Sequence, residues 1–134
     1  MPFVLDNSVV VGWYFENQAT AYSDHILDLL SEDTAHVPGL WVLEFSNILR
    51  KAIKTGKADA ARVREIVTLA GALPISIDYT SETVQKNLML SLQFGLTSYD
   101  ASYLGLAMRL GLPIAAKDDA LRDAARRAGI GIVE

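Results

Sequence analysis

Phe3-Val4-Leu5-Asp6-Asn7-Ser8-Val9-Val10 is a short apolar run that meets an acid and two small polar residues before a helical period begins. An uncharged run with no polar alternation reads as a strand buried on both faces. Similar apolar runs of about four residues recur at 35–37, 74–77, 113–116 and 130–133. Helical patterns fill the intervals, at 9–16, 20–32, 40–55, 59–71, 82–94, 98–110 and 119–128, and Gly56, Gly95, Gly111 and Gly129 stand where helices should stop. Strands separated by helices predict an α/β fold: a three-layer α/β/α sandwich around a parallel sheet of about five short strands, with right-handed crossovers. Ligands of such sheets bind beyond the carboxyl ends of the strands.

The chain has 134 residues, 51% of them hydrophobic, with no internal repeat and no Pro/Gly/Ser-rich linker, so a single domain over 1–134 is expected. The absence of cysteine excludes disulfides, thiolate nucleophiles, iron–sulfur clusters and Cys-ligated zinc. His25 and His36 are the only histidines, and neither lies in a ligand or nucleophile motif. Chemistry must therefore rest on carboxylates. No basic leader precedes the first apolar run, and no window reaches the ~18 uncharged apolar residues of a membrane span, so a soluble cytoplasmic protein is expected.

Four acids fall at informative places. Asp6 and Asp118 each follow a strand run, which would bring both to the ligand-binding edge, although either could simply cap the helix that follows. Glu44 borders the apolar stripe of its helix, formed by Trp41, Phe45, Ile48, Leu49, Ala52 and Ile53, and no Lys or Arg precedes residue 50 to neutralise it. Asp100 opens a helix apolar almost all round, where Thr97-Ser98-Tyr99-Asp100 also reads as a variant capping box. Taken together, four carboxylates can meet at one sheet edge, where they would repel and require a divalent cation. Hard oxygen ligands without Cys or a histidine set select Mg²⁺ or Mn²⁺. Such a centre suits phosphodiester hydrolysis.

Charge is distributed unevenly. Residues 1–49 hold seven acids and no Lys or Arg, whereas residues 50–64 hold Arg50, Lys51, Lys54, Lys57, Arg62 and Arg64 against Asp59, a local net of +5. Such a segment suits phosphate contacts, or only the solvated face of a helical hairpin. It contains no aromatic residue, so base stacking is not expected there.

The order and spacing of the acids resemble the PIN domain of the VapC toxin type, a family of Mg²⁺/Mn²⁺-dependent ribonucleases, over nearly the whole chain. Val4-Leu5-Asp6-Asn7-Ser8 is similar to the family's strand–Asp–x–Ser opening, which implies a metal-ligand role for Asp6 and a supporting role for Ser8. The stretch from Val37 to Leu49 resembles the second block, implying a metal-site role for Glu44 and a supporting one for Asn47. Leu96-Thr97-Ser98-Tyr99-Asp100-Ala101 is the most specific block and implies that Asp100 is a ligand. Ile114-Ala115-Ala116-Lys117-Asp118-Asp119-Ala120-Leu121 resembles the strand–Thr–x–Asp–x–x–Leu pattern, with Asp118 preferred to Asp119 from its distance to Leu121 and Ala116 where family members often carry Thr or Ser. The resemblance further implies a homodimer, a small antitoxin partner and cleavage of a structured RNA such as transfer RNA.

Two other readings compete. A catalytically silent PIN-like module that binds RNA or protein would fit the missing hydroxyl at position 116. A receiver-like signalling domain would use Lys117, but Asp6-Asn7-Ser8 lacks the acidic pair it needs and Glu44 would be unexplained.

Overall fold

The computed structural model describes residues 1–80 and 82–134. The elements run β1 (Phe3–Leu5), α1 (Asn7–Tyr14), one 3-10 turn (Glu16–Gln18), α2 (Ala21–Leu29), β2 (Ala35–Pro38), α3 (Leu40–Lys54), α4 (Ala60–Gly71), β3 (Ile75–Asp78), α5 (Val84–Phe94), α6 (Ser98–Leu110), β4 (Ile114–Ala115) and α7 (Asp119–Arg127). The strands form one wholly parallel sheet in the order β3-β2-β1-β4, flanked by helices. The three-layer α/β/α reading therefore holds, with a smaller sheet.

The expected fifth strand at 130–133 is reduced to an isolated parallel bridge between Ile114 and Ile132. β4 is only two residues long, so Ile114 alone can face the segment, donating to the Gly131 carbonyl and accepting from the Val133 N–H. On the other side the carbonyls of Pro113, just before β4, and of Ala115 accept from the Val4 and Asp6 N–H groups.

β1 has a neighbour on each side, and Phe3, Val4 and Leu5 are all buried, as their uncharged sequence requires. α6 packs against β1 and β2, burying Ala101, Tyr103, Leu104, Leu106 and Ala107. It ends at Gly111, whose φ of 67° is open to glycine at little cost. α1 and α2 approach closely at Gly12, where a Cβ would stand 2.5 Å from the Ser23 hydroxyl oxygen. Trp13, Tyr14 and Phe15 pack against the core, and the Trp13 indole N–H donates to the Ser23 carbonyl at 2.7 Å. Among the described residues no helix is long and apolar enough to cross a membrane.

Candidate active site

Strand order reverses direction between β1 and β4, and in an open parallel sheet the crevice beyond that point is where a ligand fits. Asp6 leaves the end of β1 and Asp118 follows β4. The two strand ends are tied together by the Asp6 N–H, which donates to the Ala115 carbonyl at 3.0 Å. Glu44 projects from the early part of α3, and Asp100 from the first turn of α6. The four acids act on one another: Glu44 and Asp118 bear on Asp6, while Asp118, Asp6 and Glu44 all bear on Asp100.

Their electrostatics are those of crowded, poorly solvated acids. Asp6 is only 8% exposed, and burial pushes its carboxyl above the usual 3.8 despite hydrogen bonds from the Ser8 side chain and backbone. Asp100 is pushed up to about 6, first by desolvation and then by Asp118, Asp6 and Glu44. No Lys or Arg figures among the groups that shift either acid.

Capping explains part of this arrangement. Asp6 caps α1, accepting from the Ser8 N–H at 3.2 Å, and Asp118 caps α7, accepting from the Ala120 N–H at 3.0 Å. Asp100 is different. The Thr97 hydroxyl accepts from the Asp100 N–H at 3.1 Å, but the reciprocal bond of a capping box is missing, and among the described residues the Asp100 carboxylate has no hydrogen-bond donor. α6 therefore does not need this carboxylate for its cap.

Glu44 is held by residues that the sequence reading passed over. The Tyr103 hydroxyl donates to Glu44 Oε1 at 2.5 Å, and the Asn7 amide lies 3.5 Å from both that oxygen and the Tyr103 hydroxyl. Burial, reinforced by the Glu44 carboxylate, holds the Tyr103 phenol above its usual range, so it stays protonated as a donor. Tyr103 lies three residues after Asp100, on the same side of α6, and that spacing was the available signal. In an apolar helix it read as core.

Among the described residues no three acids or histidines are gathered closely enough to enclose a metal as they stand. The donor chemistry nonetheless fits a hard cation: the acids are partly desolvated, mutually repelling and without a compensating base. Among the described residues Glu44 Oε2, Asp118 Oδ2 and both Asp100 oxygens have no hydrogen-bond donor.

The remaining candidates divide. The Ser8 hydroxyl accepts from the Lys117 N–H at 2.9 Å, linking the turns after β1 and β4. Asn47, one turn beyond Glu44, is exposed and bonds to none of the four acids. Asp119 is exposed, whereas Asp118 acts on Asp6 and Asp100. Ala116 is fully buried, and its carbonyl accepts from Arg122 Nη1 at 2.7 Å. Arg50, Lys51, Lys54 and Lys57 are all exposed. Lys51 and Lys54 lie about 10 and 15 Å along α3 from Glu44 by helical rise. Lys51 and Lys57 edge a groove of about 350 Å³ floored by Val11, Phe15, Ile48 and Ala52.

Comparison with known proteins agrees with this fold. PAE2754 from Pyrobaculum aerophilum has a similar fold, with a TM-score of 0.67, 22% identity and coverage of 92% of this chain and 79% of that one. VapBC2 from Rickettsia felis, in a structure bound to a DNA fragment from its promoter, is similar with a TM-score of 0.62, 12% identity and coverage of 100% of this chain and 98% of that one. No curated protein matches the chain. The PIN domain family model matches residues 3–127, nearly the whole length over which the strands, helices and acids have been described, and the chain belongs to the PIN domain family.

Proposed function

We propose that this chain, as one domain over 1–134, is a Mg²⁺- or Mn²⁺-dependent endoribonuclease that acts in the cytoplasm as the toxin of a toxin–antitoxin pair. The observation that carries the reading is four acids from four elements at the strand-order reversal, where among the described residues no Lys or Arg bears on Asp6 or Asp100. Asp6, Glu44, Asp100 and Asp118 would hold the cation. Ser8 orients Asp6 and joins it to the turn after β4. A bound Mg²⁺ or Mn²⁺ supplies a Lewis acid for a phosphoryl oxygen and lowers the pKa of a water. The Ser8 N–H aims Asp6 and the Tyr103 hydroxyl aims Glu44. Asn47, exposed on the same helix, is assigned a supporting role at the edge of the site.

Purified chain incubated with total cellular RNA and Mn²⁺, with and without EDTA and with cleavage ends mapped, tests the reading. Cleavage that persists in EDTA rejects the metal mechanism. Mn²⁺ and RNA binding without cleavage would instead identify a silent PIN-like module, the reading that buried Ala116 favours.

Arg50, Lys51 and Lys54 on α3, with Lys57 in the turn just after it, extend the site as a phosphate-binding strip. Replacing Lys51, Lys54 and Lys57 together by Gln should weaken RNA binding and reduce its salt slope by about 0.7 for each lost single-strand phosphate contact, with turnover at saturating RNA nearly intact. An unchanged slope in a filter-binding titration would return these residues to ordinary solvation.

The reading also includes a homodimer and a small antitoxin. In its support, α5 leaves Val84, Leu88 and Leu92 exposed at four-residue spacing, an apolar stripe of the kind partners cover. Sedimentation equilibrium at micromolar concentration should give twice the chain mass of 14.6 kDa. A monomer at that concentration removes the dimer from the reading.

A further inference from the structure

We propose that Tyr103 is a positioning residue for the acidic site, holding Glu44 so that only Oε2 is available to a bound cation or its water. The inference rests on the metal reading above and adds a residue to it. Tyr103 is wholly buried in α6, the helix that also carries Asp100, and its hydroxyl reaches across to α3. At 2.5 Å its bond to Glu44 Oε1 is in the range of a hydroxyl donating to a charged carboxylate. The Asn7 amide approaches the same oxygen at the long limit of 3.5 Å, which makes it the weaker partner.

The geometry has a chemical consequence. A glutamate has rotatable bonds that let it bind a cation through one oxygen or two, and a donor fixed in the core removes one of those oxygens from the choice. The ring of Tyr103 is wholly buried in the core, so its hydroxyl is a fixed point against which Glu44 is set. Asn7 immediately follows Asp6, so the same polar contact joins the Asp6 turn, α3 and α6. Three of the four acids are thereby referred to one buried hydroxyl. Any buried tyrosine hydroxyl must find a partner, and what points to positioning is that this one is a carboxylate of the acidic site, reached across from α6 to α3.

Tyr103→Phe keeps the ring and removes the hydroxyl. Partners that orient metal ligands typically contribute 10–100-fold in metal affinity, so Y103F should bind Mn²⁺ at least ~10-fold more weakly in a calorimetric titration without RNA. Its melting temperature in EDTA should stay within a few degrees of the parent, showing that the fold is kept. Glu44→Gln should also weaken Mn²⁺ binding, and Y103F added to E44Q should weaken it no further, because Tyr103 acts through Glu44. Equal Mn²⁺ affinity of Y103F and parent would overturn the role of Tyr103 while leaving the metal reading intact, as would additive losses in the double variant. A parent that binds no Mn²⁺ overturns both.

Discussion

Asp6→Asn or Asp100→Asn is expected to lower Mn²⁺-dependent RNA cleavage at least ~100-fold, because groups that act as one unit lose most of their effect when any member is removed. The fold gives both substitutions a clean interpretation. Asn can accept the Ser8 N–H as Asp6 does, so the cap of α1 survives. At position 100 the cap is made by the Thr97 hydroxyl to the backbone N–H, which the substitution leaves alone. Loss of activity would then report the missing charge. Initial rates on a mapped RNA substrate, with far-UV circular dichroism to establish folding, make the measurement. Variants within threefold of the parent would remove these acids from catalysis.

The second large effect is on stability, and its sign depends on metal. In EDTA the parent should melt below Asp6→Asn, since the substitution relieves a buried negative charge crowded by Glu44 and Asp118. With Mn²⁺ the order should narrow or reverse. The parent gains about 2.7 kcal/mol at a hundredfold excess over Kd, and the variant gains less. If Asp6 were only a helix cap, Mn²⁺ would shift both proteins alike. Asp100 adds a pH dependence to the same experiment. Its carboxyl stands at about 6 in the fold against 3.8 ordinarily, so between those values the folded state binds more protons than the unfolded one. Stability in EDTA therefore falls as pH rises through this window, and the penalty is complete above it. Asp100→Asn should melt higher than the parent at pH 7, by on the order of 1 kcal/mol after discounting for its half-exposed position, or about 3–5 °C. The advantage should close near pH 4. An advantage independent of pH would point to packing.

Much of this was legible along the chain. Uncharged runs such as Phe3–Leu5 read as strands covered on both faces, and helices between them leave a parallel sheet as the simple solution. Asp6 and Asp118 were placed at strand ends by adjacency alone. Asp100 was conspicuous because an acid opens an otherwise apolar helix. The terminal run at 130–133 forms one bridge and no strand: apolar composition makes a strand possible, but the number of ladder bonds depends on its neighbour, and β4 offers two residues.

Local pattern and composition thus determined the elements, the helix stops, the exclusion of cysteine chemistry and the four acids worth watching, since each depends on residues within a few positions of one another. Strand order was decided only by the tertiary structure. Nothing local states that β1 lies between β2 and β4, yet that order puts Asp6 and Asp118 on either side of the reversal. The same holds for Tyr103, 59 residues from Glu44 in the chain and 2.5 Å from it in space. A buried hydroxyl acquires its role from the group that folding sets opposite it, because the cost of leaving such groups unpaired is met by long-range packing and not by sequence neighbours.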